Sequence, residues 1–226
     1  MKRLLALATA MLLVLSLSPA AFAAQTDAPE EEAVIPTQAA IDQEVAAAAN
    51  LTPGENLPVR SAILVEQSSG KVLFAQNEHE QLPPASVTKI MSLLLIMEAI
   101  DSGKIALTDR VTCSDTAAAY GGSQIWLKPG EEMTVDDLLK ATAIASANDA
   151  TVCLAEYVAG SEEAFVQMMN QRAQELGMTD SVFKCAAGLD TDGHVTSAAD
   201  IAIMSRALLE HPLITNYSTV WMDTLR

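Results

Sequence analysis

A run of eight residues, Ile90-Met91-Ser92-Leu93-Leu94-Leu95-Ile96-Met97, constrains the fold of this chain more than any other feature. Wound as a helix it is apolar on nearly every side, and such a helix belongs at the centre of a domain. Pro83-Pro84 precede it and favour a helix start just beyond them. A helix opening there carries Ser86 in its first turn and Lys89 three residues on, on the same face. A lysine at the root of a buried helix is desolvated, which favours its neutral, basic form.

A central helix needs elements around it, and the rest of the chain supplies them. Residues 61–67 and 71–76 are two β-favouring runs around Ser68-Ser69-Gly70, which predicts a β-hairpin at the start of the folded domain. From Pro84 to Pro212 nearly everything has helical spacing. Thr134-Val135-Asp136-Asp137, Ser161-Glu162-Glu163 and Thr196-Ser197 read as helix starts; Gly177 and His211-Pro212 read as stops. The outline is a hairpin followed by a helical lobe, and one hairpin is too little sheet to stand alone.

The N-terminal quarter is different in character. Lys2 and Arg3, an apolar stretch from Leu4 to Leu17, and Ala21-Phe22-Ala23 before Ala24 form the three-part pattern of a secretory signal, so residues 1–23 are expected to be cleaved on export. The apolar stretch is shorter than the ~20 residues a membrane-spanning helix needs. Residues 24–56, rich in Ala, Glu, Gln and Pro, read as a solvated acidic linker, which leaves 57–226 for the domain. Thirteen Lys and Arg against 29 Asp and Glu give a net charge of −16, which excludes nucleic-acid binding through a basic surface. Cys113, Cys153 and Cys185 are an odd number with no zinc-site spacing, and read as buried free thiols.

The Ser86/Lys89 pair can carry chemistry, because serine becomes a nucleophile when a base takes its proton, and a lysine of lowered pKa is such a base. The pattern Ser-x-x-Lys is weak alone: Ser68/Lys71 and Ser181/Lys184 match it too, but neither opens a buried helix. A second element, Ser146-Ala147-Asn148-Asp149-Ala150, begins 60 residues after Ser86 and holds the only Ser-x-Asn in the chain. At a helix-to-helix junction it can present a hydroxyl and an amide to a cleft, although Asn148 or Asp149 would serve equally as an ordinary helix cap. Asp190-Thr191-Asp192-Gly193-His194 reads as turn chemistry.

Together the two elements resemble the active-site serine penicillin-recognising enzymes, and within them the serine-type D-alanyl-D-alanine carboxypeptidases of low molecular mass, peptidase family S11. The resemblance runs over residues 58–215, through Leu82-Pro83-Pro84-Ala85-Ser86-Val87-Thr88-Lys89-Ile90-Met91, Leu127-Lys128-Pro129-Gly130-Glu131, Leu176-Gly177-Met178 and Gly188-Leu189-Asp190. It implies an α/β (α+β) domain of the penicillin-binding-protein/β-lactamase-like transpeptidase fold, a helical lobe on a sheet. By the same resemblance Ser86 forms an acyl-enzyme with a D-alanyl-D-alanine stem peptide, Lys89 is the general base, Ser146 relays a proton to the leaving amine, and Asn148 binds the substrate amide. It implies peptidoglycan stem peptides as substrates, β-lactams as acylating inhibitors, no cofactor or metal, and an exported protein of the cell envelope.

The family's third motif, Lys-Thr-Gly, does not occur; the only Lys-x-Gly, Lys128-Pro129-Gly130, precedes Ser146 in a loop. The expectation is an N-terminal portion of a longer enzyme, lacking the C-terminal strands and any C-terminal membrane anchor, and weakly active or inactive as it stands. The alternatives are a D,D-endopeptidase or β-lactamase of the same fold, or an inactive fragment that binds wall peptides. A class A β-lactamase is disfavoured, since the Glu-x-x-Leu-Asn expected after Ser146 is absent.

Overall fold

The structure, a computed structural model, describes residues 57–224. The expected signal segment and linker fall on residues 1–56, outside the described residues.

Strands β1 (Ala62–Val65) and β2 (Val72–Gln76) form the antiparallel hairpin, with Ala62 opposite Gln76. Its turn is organised by one side chain: the Glu66 carboxylate accepts from the backbone N–H and hydroxyl of both Ser68 and Ser69. A 3-10 turn (Ala85–Thr88) then leads directly into α1 (Lys89–Asp101), the helix of the apolar run. Met91, Leu94, Ile96 and Met97 of α1 are completely buried. Four of the later helices pack directly on it, and the remaining elements pack on those.

That cover begins with β3 (Arg110–Thr112), α2 (Asp115–Ala118) and β4 (Glu132–Thr134), continues through α3 (Val135–Ile144), α4 (Asn148–Ala159) and α5 (Glu162–Glu175), and ends with α6 (Ala198–Leu209) and α7 (Thr215–Ser218). Helix α1 touches α3, α4, α5 and α6, so it is central as its composition requires. Helix starts follow the capping chemistry in the sequence. The hydroxyls of Thr134, Ser161 and Ser197 accept from the N–H groups of Asp137, Ala164 and Asp200, each satisfying a donor that the first turn leaves without a partner. Gly177, with φ +76°, follows α5 as its stop.

The stretch from Pro84 to Pro212 is less uniformly helical than its spacing predicts. Strands β3 and β4 pair antiparallel, Val111 opposite Met133, and isolated bridges join Leu82 to Thr196 and Val182 to Val195. Three-residue strands hold too few positions for alternation to register, and the pairing of β3 with β4 joins residues 20 to 24 apart in the chain. The three cysteines are buried and free, as expected. Among the described residues no helix is long and apolar enough to cross a membrane.

Candidate active site

The 3-10 turn sets the geometry of the first pair. In a 3-10 helix side chains at i and i+3 eclipse, so Ser86 and Lys89 face each other more directly than an α-helix would allow. Lys89 Nζ lies 3.1 Å from Ser86 Oγ. Ser86 is exposed, whereas Lys89 is only 4% exposed. Burial lowers the lysine pKa to about 8, with the nearby Cys185 acting weakly in the opposite sense. A neutral amine has two N–H donors and one lone pair; here Nζ donates to the Ala187 carbonyl at 2.7 Å, which leaves the lone pair available to the serine proton.

The segment that supplies that carbonyl is held against α1 over its whole length. Ser92 Oγ donates to the Ala186 carbonyl at 2.7 Å. Gly188 sits at φ +82°, and a Cβ there would fall 2.0 Å from the Ala85 carbonyl oxygen, so only glycine allows this approach. Six residues further along the chain, His194 is 3% exposed; its Nδ1 accepts from the Lys184 N–H at 2.9 Å, which leaves Nε2–H to donate to Thr88 Oγ1 at 2.7 Å. Burial depresses the His194 pKa and keeps this neutral tautomer. The sequence singled out neither the 186–188 segment nor His194 as part of the site. The signals at hand were the small-residue run Ala186-Ala187-Gly188 and the place of Gly188-Leu189-Asp190 in the family resemblance; neither assigns a contact, because these contacts span 94 to 106 residues of chain.

Ser146 and Asn148 lie at the junction of α3 and α4, the place the sequence predicts. Ser146 has φ +54°, a left-handed conformation costing a non-glycine residue roughly 1–3 kcal/mol. Ala85 (+48°), next to Ser86, and Trp126 (+56°), in the loop that Asp149 holds, share it. Among the described residues no hydrogen bond joins Ser146 to Ser86 or Lys89. Asn148 does not cap α4, and neither does Asp149; the cap position is Ala147, without a side-chain bond. Asn148 is 4% exposed, donates from Nδ2 to the Gly121 carbonyl at 2.7 Å, and leaves Oδ1 buried without a partner. A buried acceptor without a donor is costly, and a substrate N–H is the kind of group that would satisfy it. Asp149, fully buried, fixes the facing loop by accepting from the N–H groups of Ile125 and Leu127.

The two decoy pairs are engaged elsewhere. Ser68 Oγ is bound to Glu66 in the hairpin turn, and Ser181 Oγ donates to Asp200 at 2.7 Å. Lys128-Pro129-Gly130 forms the exposed turn before β4, closed by Glu131 N–H on the Lys128 carbonyl.

Known proteins share this arrangement of chain. Over 167 residues the chain is 53% identical to the D-alanyl-D-alanine carboxypeptidase DacF of Bacillus subtilis, an alignment covering 74% of this chain and 43% of that protein. The crystal structure of the D-alanyl-D-alanine carboxypeptidase DacD from Francisella tularensis superposes with a TM-score of 0.71 at 30% identity, covering 73% of this chain and 40% of that one. Penicillin-binding protein D2 from Listeria monocytogenes, solved in its ampicillin-bound form, superposes with a TM-score of 0.65 at 27% identity, covering 74% of this chain and 69% of that one. The chain thus spans less than half the length of DacF of Bacillus subtilis, and likewise of the D-alanyl-D-alanine carboxypeptidase DacC of Escherichia coli. The sequence profile of the D-alanyl-D-alanine carboxypeptidases matches residues 45–226, and with the Ser86/Lys89 pair in place the chain belongs to this family, peptidase S11.

Proposed function

We propose that the protein is a D-alanyl-D-alanine carboxypeptidase acting on peptidoglycan stem peptides through an acyl-enzyme on Ser86. The observation that carries this reading is the desolvated Lys89 amine, 3.1 Å from the Ser86 hydroxyl and oriented by the Ala187 carbonyl. Lys89 takes the serine proton as Ser86 Oγ attacks the carbonyl between the two D-alanines. The tetrahedral intermediate collapses, the C–N bond breaks, and Ser146 passes a proton to the departing amine. Water then releases the shortened peptide and regenerates the Ser86 hydroxyl. Asn148 Oδ1, buried and without a donor, accepts from a substrate amide N–H.

β-Lactams are proposed as acylating inhibitors of the same serine, with the ampicillin-bound Listeria relative in support. Action outside the cytoplasm, at the cell envelope, is supported by the secretory pattern of residues 1–23. The test is D-alanine release from diacetyl-Lys-D-Ala-D-Ala by the protein and by Ser86→Ala. Release that disappears with Ser86 supports the reading. Release above background that is equal in the variant overturns it, and so does a penicillin adduct that forms equally in Ser86→Ala.

A further inference from the structure

The acidic side chain at the start of α5 is bound to both walls of the site. Glu162 Oε1 accepts from the Ala186 N–H at 2.9 Å and from the Tyr120 hydroxyl at 2.6 Å, and Oε2 accepts from the same hydroxyl at 2.8 Å. Ala186 is followed by the residue whose carbonyl orients Lys89. Tyr120 is followed by Gly121, whose carbonyl holds the Asn148 amide. A single carboxylate therefore ties the backbone beside the general base to the backbone beside the substrate-binding amide. The tie is built to persist: burial and the Glu162 carboxylate raise the Tyr120 pKa, so the phenol remains a donor throughout the working range.

We propose that Glu162 is a positioning residue for acylation, holding Ala186-Ala187-Gly188 against the nucleophile turn so that the Ala187 carbonyl keeps the Lys89 lone pair directed at Ser86. This rests on the function proposed above for Ser86 and Lys89 and adds a residue whose side-chain hydrogen bonds go to Tyr120 and Ala186. The helix-terminal position offers a simpler role, since a carboxylate in the first turn of α5 stabilises that helix whatever it binds. The two roles separate by reach and charge. Glu162→Asp keeps the charge at the helix start but is one methylene too short to bridge Tyr120 and Ala186. Glu162→Gln loses the charge but keeps an acceptor oxygen at the same distance.

If the segment loosens, water reaches Lys89, and its pKa moves from about 8 toward the ordinary lysine value of about 10.4. Ser86, the Ala187 carbonyl and Cys185 are the polar groups that face the amine in the structure, and none is altered by either substitution. In Glu162→Asp the Lys89 titration midpoint, followed by NMR of 13C-labelled lysine side chains in the whole chain, should rise by about one unit. Penicillin acylation of Ser86 at pH 7 should fall about tenfold, since the neutral fraction of a base falls tenfold per unit below its pKa. Glu162→Gln should recover most of both. An unchanged Lys89 midpoint in folded Glu162→Asp overturns the proposal, and so does Glu162→Gln behaving like Glu162→Asp. The NMR titration needs no activity, so a wild-type chain that fails to acylate would count against the proposed function while the positioning role is still decided by Lys89.

Discussion

A lysine that is 4% exposed beside a serine hydroxyl acts as a base only while unprotonated, so the site should carry its own pH dependence. Desolvation depresses the folded-state pKa of Lys89 to about 8, below the unfolded value, because the low-polarity surroundings penalise the ammonium form. The neutral fraction then grows as pH rises through 8 and declines tenfold for each unit below it. Acylation of Ser86 should therefore climb with unit slope on a log scale from pH 6 to 7.5 and level off above about 8, measured by stopped-time labelling with a fluorescent penicillin. A profile flat from pH 6 to 9 would remove Lys89 from the role of general base. The pair itself was legible in the sequence, because a polar i, i+3 pair at the root of an all-apolar helix has one physical arrangement. Asn148 was legible only as a type: its unsatisfied Oδ1 depends on how the loop at Gly121 closes, which local spacing does not encode.

At the scale of elements, the helices announced themselves through their ends. Thr134, Ser161 and Ser197 are caps by chemistry, and the structure starts α3, α5 and α6 at each. Strands β3 and β4 gave no such signal, being three residues each and defined by their pairing. The 186–188 segment gave no sign of its contacts, since it becomes part of the site only by pressing on a turn about a hundred residues earlier. That approach can be tested by comparing two glycines with the same backbone conformation. Gly103 (φ +72°) has open space where a Cβ would go, whereas at Gly188 (φ +82°) the Cβ meets the Ala85 carbonyl. Gly103→Ala should cost about 1 kcal/mol from backbone strain alone. Gly188→Ala should cost about 2–4 kcal/mol, adding an overlap that rigid backbone cannot relieve, and should slow acylation more than its stability loss explains. Equal melting temperatures and equal labelling in the two variants would mean that the segment is not held as described.

For the molecule as a whole, the described residues form a helical lobe built round α1, with the hairpin β1–β2 packed on α6 and the 3-10 turn of Ser86 packed on the start of α1. The strongly acidic composition bears on partners and solubility, not on this architecture. What was legible at this scale came from the buried helix, because one element that must be central dictates that the others surround it. How the walls are tied together, through Glu162, Asp149 and His194, was not legible, since each bond joins segments distant in sequence. The central claim is that Ser86, and no other serine, is the nucleophile. It is tested most directly by intact-mass and peptide-mapping mass spectrometry after exposure to benzylpenicillin, because a covalent adduct accumulates even where turnover is slow. The expected result is one penicilloyl group per chain, on the peptide containing Ser86, and none in Ser86→Ala. An adduct that persists in Ser86→Ala, or that maps to Ser68 or Ser181, would contradict it.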